Sequence, residues 1–323
     1  MIQRTLRRSV AGLAVLVGAA LLVSGCQSPP ERAEAGSGCA PSGPASQSVS
    51  ATGDLFAVPE VDFPAGLSPL TTERTILVEG SGEEIAQGDL VTLDFVAYNG
   101  RTGEQLEVTG YGADGVGRTV ITLDSTNAMP GLRRALLCAP AGSRIAAVVP
   151  AADAYGSTVT PRGLDAGDPL IMVIDVVSLA GDRAEGSTVE ALPGFPDVTE
   201  SQDGKPVIGV PLTAAPPELA VQQVIVGTGP AVRPGSDVVV KYVGVLWRTG
   251  LSFADTWINP ARTPVSLETL LPGVAQAIIG QPVGSRVVVV VPPALGYGPD
   301  GDVAAGVSGS DTLVFAVDIL AST

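Results

Sequence analysis

The sequence predicts an α+β protein made of two tandem copies of one domain, each a curved antiparallel β-sheet wrapped around one short helix. Three observations predict it: an internal repeat, strand-like apolar runs inside each copy, and a composition of turns with few aromatics. The repeat shows in Gly82, Gly88 and Arg101-Thr102-Gly103, which recur as Gly229, Gly235 and Arg248-Thr249-Gly250. Gly142-Ser143-Arg144 and Tyr155-Gly156 recur as Gly284-Ser285-Arg286 and Tyr297-Gly298. Spacing drifts by only a few residues between copies, as loop deletions produce, so the duplicated unit is a whole domain and not a short solenoid repeat.

Each copy runs in the same order. A first strand (75–78; 221–226) leads to a glycine-bounded turn and an alternating strand, Leu90-Val91-Thr92-Leu93-Asp94-Phe95 or Val238-Val239-Val240-Lys241-Tyr242-Val243. A short helix is expected over 128–138 and 270–279. A β-branched strand follows (145–149; 287–291) and stops at Pro150 or Pro292. The last strand ends near Asp175 or Asp318.

Residues 1–25 carry Arg4, Arg7 and Arg8 before an apolar run from Val10 to Val23, the shape of an export signal and short for a spanning helix. The run ends in Val23-Ser24-Gly25-Cys26, which resembles a bacterial lipobox with Cys26 as the lipidated residue. The expected organisation is a lipoprotein signal at 1–25, a flexible stalk at 26–70, domain 1 at 71–180, a linker at 181–217 and domain 2 at 218–323. Stalk and linker are read from Ser, Pro, Gly and Ala content, including Pro193-Gly194-Phe195-Pro196 and Ala214-Ala215-Pro216-Pro217. The expected location is the outer side of a cell membrane, reached through the lipid alone. Two further cysteines, Cys39 and Cys138, leave two alternatives open, a bridge or a buried free Cys138.

Composition removes several function classes. The chain of 323 residues has a formal net charge of −15, so phosphate neutralisation by clustered cations, and with it nucleic-acid binding, is not expected. Its histidine count is 0, which removes imidazole-based catalysis and common zinc sites; no cofactor or metal is expected. Turns such as Gly227-Thr228-Gly229 lack the strand–glycine–helix context of a phosphate cradle.

The second copy resembles the FKBP-type peptidyl-prolyl cis-trans isomerases from Val221 to Leu320. The motifs are Val240-Lys241-Tyr242-Val243-Gly244, Phe253-Ala254-Asp255-Thr256-Trp257, Val283-Gly284-Ser285-Arg286, Pro292-Pro293-Ala294-Leu295-Gly296-Tyr297-Gly298 and Asp311-Thr312-Leu313-Val314-Phe315. The first copy resembles the family more loosely, from Thr75 to Leu179.

The resemblance implies a proline pocket lined by Tyr242, Phe253, Leu270, Leu271, Val274, Tyr297 and Phe315. It implies catalytic roles for Tyr297, Phe253 and Asp255, and proline-containing polypeptides as partners. The family places an aspartate directly after the pocket phenylalanine, where this chain has Ala254 and then Asp255; Val274 stands where the family has a tryptophan. In the first copy the corresponding residues are Leu106, Glu107, Leu132, Met172 and Tyr155, so only the tyrosine is retained and weak or absent catalysis is expected. Bland readings stand beside these. Tyr242 and Phe315 fit the core of any β-domain, Glu107 fits a solvated surface, and Trp247 and Trp257 fit either a groove or ordinary packing. The implied function is isomerisation of Xaa-Pro bonds in exported chains, mainly by the second domain. The alternatives are a peptide-binding module without catalysis and a structural spacer.

Overall fold

Two equivalent sheets organise the chain, and both have the strand order the repeat demands. The structure, a computed structural model, describes residues 38–111, 117–155, 163–258 and 262–323. The signal segment and Cys26 lie outside the described residues. Among the described residues no helix is long and apolar enough to cross a membrane.

The first lobe begins with α1 (Pro44–Gln47) and the hairpin β1 (Ser50–Thr52) and β2 (Glu60–Asp62). It continues through β3 (Glu73–Val78), β4 (Leu90–Asn99), β5 (Gln105–Val108), β6 (Thr119–Thr122), α2 (Pro130–Leu136), β7 (Arg144–Val149), α3 (Ala151–Ala154) and β8 (Leu170–Ala180). The second lobe begins with β9 (Ser187–Thr188) and the hairpin β10 (Asp197–Glu200) and β11 (Pro206–Gly209). Then come β12 (Ala220–Val226), β13 (Asp237–Leu246), β14 (Ser252–Asp255), β15 (Val265–Ser266), α4 (Pro272–Ile278), β16 (Arg286–Val291) and β17 (Leu313–Ser322). The first sheet runs β3-β7-β8-β4-β5 with β6 on β4. The second runs β12-β16-β17-β13-β14 with β15 on β13 and β9 added outside β12. All the pairings are antiparallel.

Each helix is short for a local reason. Pro130 and Pro272 open α2 and α4, where the missing N–H costs nothing. At the far end of α4 the chain turns left-handed at Gly280 (φ 83°), whereas after α2 the same turn falls on Cys138 (φ 61°). A side chain there is disfavoured. Cys138 is held by a disulfide to Cys39, with the Cα atoms 6.0 Å apart. The bridge resolves the alternatives left open for these cysteines.

The strands β7 and β16 are buried at every position, so both faces of each sheet are covered. The inner faces pack on the helices through Ile145, Ala147 and Val149 or Val287, Val289 and Val291. The outer faces are covered by segments expected to be a stalk and a linker. Ala45, Val49, Val61 and Phe63 pack on Ala146, Val148, Ile171 and Val173. Phe195, Val198, Ile208 and Val210 pack on Val243, Val245, Val288 and Val314. Residues 38–70 are thus part of the first lobe, and 185–213 supply the β9 strand and the outer hairpin of the second. Gly and Pro in these stretches shape tight turns around short strands, and the apolar residues between them fill an otherwise bare sheet face.

A buried ion pair fixes each outer hairpin. Arg144 and Asp175 face each other across β7 and β8, as Arg286 and Asp318 do across β16 and β17. Both guanidinia are 1% exposed and both carboxylates 0%. Arg144 donates Nε to Asp175 Oδ1 (2.6 Å) and Nη2 to Oδ2 (2.7 Å), and its remaining N–H groups reach the carbonyls of Gly53 (2.9 Å), Asp54 (2.8 Å) and Ala57 (3.1 Å). Arg286 bonds Asp318 at 2.5 and 2.8 Å, then the Gly204 carbonyl at 3.0 Å and Glu200 at 2.6 Å. The described residues belong to one compact unit. Between the lobes Leu90 and Val120 meet Val239, Leu320 and Ala321, and Arg262 pairs with Asp182 at 2.9 Å and donates to the Gly88 carbonyl at 2.8 Å.

Asp318→Asn leaves the buried Arg286 with the half-exposed Glu200 as its one remaining carboxylate and is expected to lower stability by about 3 kcal/mol in urea unfolding. Limited proteolysis of that variant is expected to cut first within 197–209. Replacing Cys39 and Cys138 together by serine is expected to cost about 2–4 kcal/mol, read the same way with and without reductant on the parent chain.

Candidate functional site

The inner face of the second sheet carries a cluster of aromatic rings over α4. Phe315, on β17, lies opposite Gly244 of β13 and is 3% exposed. A Cβ on Gly244 would stand 2.8 Å from the Phe315 ring and 2.9 Å from the Phe253 ring, so only glycine lets both rings close over this point. Phe253 and Phe315 then meet edge to face at 5.5 Å, and Tyr242 meets Phe315 at 5.9 Å. Val274 of α4, 5% exposed, forms the base, and the half-buried Leu270 and Leu271 come from the turn entering the helix.

Tyr297 stands at the edge of this cluster, partly buried against it. It follows a 3-10 turn at Pro293–Leu295 and stands 6.3 Å from Phe253, ring centroid to ring centroid, at 75°. No hydrogen bond among the described residues engages its hydroxyl. Burial raises its pKa above the ordinary phenol value, helped by the negative charge of Asp302 and by Tyr242. The loop after Tyr297 is pinned by Arg248, which donates to Asp311 at 2.6 and 3.2 Å, while Asp311 also accepts the Ser308 N–H at 2.8 Å. That pairing explains the repeated Arg-Thr-Gly triplet, which sequence reasoning noted without assigning a role.

All seven pocket residues expected in the second domain therefore meet in one cluster. Asp255 does not join them. A bulge in the pairing of β13 and β14 falls at Gly244/Val245, and beyond it Asp255 stands in register with Val243, which packs on the outer face. There Asp255 takes the ammonium of Lys205 and the N–H of Trp257 at 2.9 Å. Ala254 lies opposite Gly244, so the position beside Phe253 holds a methyl group. Trp247 and Trp257 also pack on the outer face, with Trp247 Nε1 donating to the Thr213 carbonyl (3.0 Å) and Lys241 Nζ 4.6 Å from the Trp257 ring centroid.

The first lobe keeps the skeleton and changes the surface. Leu106, Leu132, Met172 and Tyr155 gather in its core, with Met172 1% exposed, but Phe95 is the aromatic partner that remains. With aliphatic chains in place of rings, Ala97 fits opposite Glu107 where the second lobe requires Gly244. Glu107 itself is exposed. Tyr155 donates its hydroxyl to the carbonyls of Asp168 (2.6 Å) and Asp165 (3.0 Å), so the proton is already committed within the lobe. Arg101 holds Asp168 at 2.6 and 3.1 Å, and that bond keeps the carboxylate well below its usual range. A separate recess of about 300 Å³ lies at the seam between the lobes; it is lined by Arg118, Arg183 and Arg233 and by no aromatic ring, which is unsuited to a proline.

The family described as FKBP-type peptidyl-prolyl cis-trans isomerase matches residues 229–320. A probable FK506-binding protein of Corynebacterium glutamicum is 38% identical over 118 residues, which is 36% of this chain and 98% of that protein. The FK506-binding protein of Streptomyces anulatus is 31% identical over 119 residues, 36% of this chain and 96% of its own. Among solved structures, the three FKBP domains of wheat FKBP73 align with a TM-score of 0.31 at 18% identity, covering 78% of this chain and 94% of theirs. FkpA from Escherichia coli aligns at 0.29 and 27% identity, covering 41% of this chain and 53% of its own. The chain belongs to the FKBP-type peptidyl-prolyl cis-trans isomerase family.

No imidazole is present, and the raised pKa of Tyr297 keeps its proton in place as pH climbs through the ordinary tyrosine range. Binding of a proline test peptide beside Tyr297 is therefore expected to be constant from about pH 6 to about pH 9 and to weaken only at higher pH. A fall in affinity near neutrality, measured by peptide titration, would show that a group other than the Tyr297 hydroxyl controls binding.

Proposed function

We propose that the second lobe isomerises Xaa-Pro bonds and that the first lobe assists without catalysing. The observation that carries this is the contrast between the two tyrosines. Tyr297 faces Phe253 with a hydroxyl that no group among the described residues engages, while Tyr155 spends its hydroxyl on Asp165 and Asp168.

The chemistry needs no nucleophile. Amide resonance sets a barrier of about 18–20 kcal/mol and separates charge between oxygen and nitrogen. A proline ring seated against Val274, Phe253 and Phe315 brings its imide bond into an apolar surface. Such a surface favours the twisted, less charge-separated transition state over either planar form, which is differential binding. The Tyr297 hydroxyl supplies a hydrogen bond to a carbonyl of the bound chain and keeps it in register. No residue donates or removes a proton during the turn.

The signal-like N-terminus and Cys26 support a lipid-anchored protein outside the cell membrane, acting on exported polypeptides. The replacement of an aspartate by Ala254 beside Phe253 favours a second reading, a binding module with little catalysis. One set of assays on the full chain separates them. Exchange of a proline test peptide should run above the uncatalysed rate. Tyr297→Phe should slow it about tenfold, the effect of losing one hydrogen bond of about 1.4 kcal/mol, while Tyr155→Phe leaves it unchanged. Peptide binding without acceleration would establish the module, and an absence of both would remove the reading altogether.

A further inference from the structure

We infer that Lys205, on the outer hairpin of the second lobe, is a positioning residue for the pocket on the opposite face of the sheet, acting through Asp255. The inference rests on the isomerase reading and names the group that keeps its phenyl wall in place.

Phe253 sits on β14, the last strand at its edge of the sheet. Three residue pairs tie β14 to β13, and a bulge interrupts them next to Gly244. On the inner side Gly244 offers no side chain to back the ring. Besides these pairs and the Thr256–Tyr242 bonds, a restraint reaches the strand from the outer side, two residues after Phe253, where Lys205 holds Asp255. The pair is only partly exposed, 31% for the lysine side chain and 20% for the aspartate, at the border of the apolar layer that holds Val243 and Ile208. Partial burial makes such a pair stronger and less screened than one in open solvent.

Lys205 is itself held. Its carbonyl accepts the Ser201 N–H at 2.9 Å, and the Gly204 carbonyl beside it accepts Arg286 Nη2 at 3.0 Å. Contacts thus run without interruption from the buried Asp318–Arg286 pair through Gly204 and Lys205 to Asp255 and the strand bearing Phe253. The first lobe supplies an internal control. There Val108 occupies the register position of Asp255, opposite Val96 as Asp255 is opposite Val243, and it is 40% exposed with no charge to offer. Around both positions the strands otherwise match, since Thr109 and Thr256 accept the N–H groups of Phe95 and Tyr242 at 2.7 and 2.8 Å. The ion pair therefore occurs in the lobe whose tyrosine hydroxyl is uncommitted and whose pocket has its rings, and not in the other.

The experiment uses the full chain and a proline test peptide, at a temperature where circular dichroism shows each variant folded. Lys205→Ala is expected to lower kcat/KM about tenfold, mostly in kcat, because a displaced Phe253 loses more transition-state contact than ground-state contact. Lys205→Arg is expected to stay within about twofold of the parent, since it keeps the charge and reach. If Lys205→Ala does not fold, the exchange Lys205→Asp with Asp255→Lys restores the pair in reverse and is expected to recover most of the rate. An active parent with an unchanged Lys205→Ala, or a folded charge exchange that stays slow, overturns the inference. A parent with no activity overturns the isomerase reading, and this inference with it.

Discussion

A guanidinium buried between two β-strands has more N–H groups than one carboxylate can satisfy, and that imbalance shapes both lobes. Arg144 and Arg286 each give two hydrogen bonds to the aspartate across the sheet, and the rest must find acceptors away from water. They find them in backbone carbonyls of an N-terminal hairpin, and for Arg286 also in the Glu200 carboxylate, so the hairpin is drawn over the outer face of the sheet. The same hairpin covers a valine surface that would otherwise meet solvent. Charge satisfaction and apolar burial therefore select the same arrangement, a sheet clamped between two packed layers.

The two lobes show how little separates a pocket from a plain core on this scaffold. Strand order, the paired Arg–Asp clamp and the loop lock (Arg101 with Asp168, Arg248 with Asp311) are shared. The differences lie at a few inner-face positions that act together. Large rings at Phe253 and Phe315 require Gly244, while Leu106 and Met172 permit Ala97. In the first lobe the tyrosine bonds its own loop, and in the second it does not. A Cβ added at Gly244 alone would clash with both rings.

Much of this was legible from the residues. The repeat, the strand order within each copy and the clustering of seven inner-face residues of the second domain all follow from motifs that stand in one order along the chain. The stalk and linker were misread because Gly, Pro and Ser describe tight turns as well as loose tethers. What orders 38–70 and 185–213 are partners far away in sequence, Arg144 and Arg286 among them, and no local pattern announces them. Strands β7 and β16 did carry a signal, since apolar residues at consecutive positions imply cover on both faces.

The sequence by itself determined the duplicated α+β architecture and the family, because alternation, turns and motif order are local properties that survive without coordinates. It also determined which lobe carries the cluster of aromatic rings. Only the tertiary structure decided which face Asp255 occupies, whether Cys39 meets Cys138, and which tyrosine is already engaged. Each of those depends on a bulge or on contacts between distant segments, and a one-residue change of register in a strand sends a side chain to the opposite face.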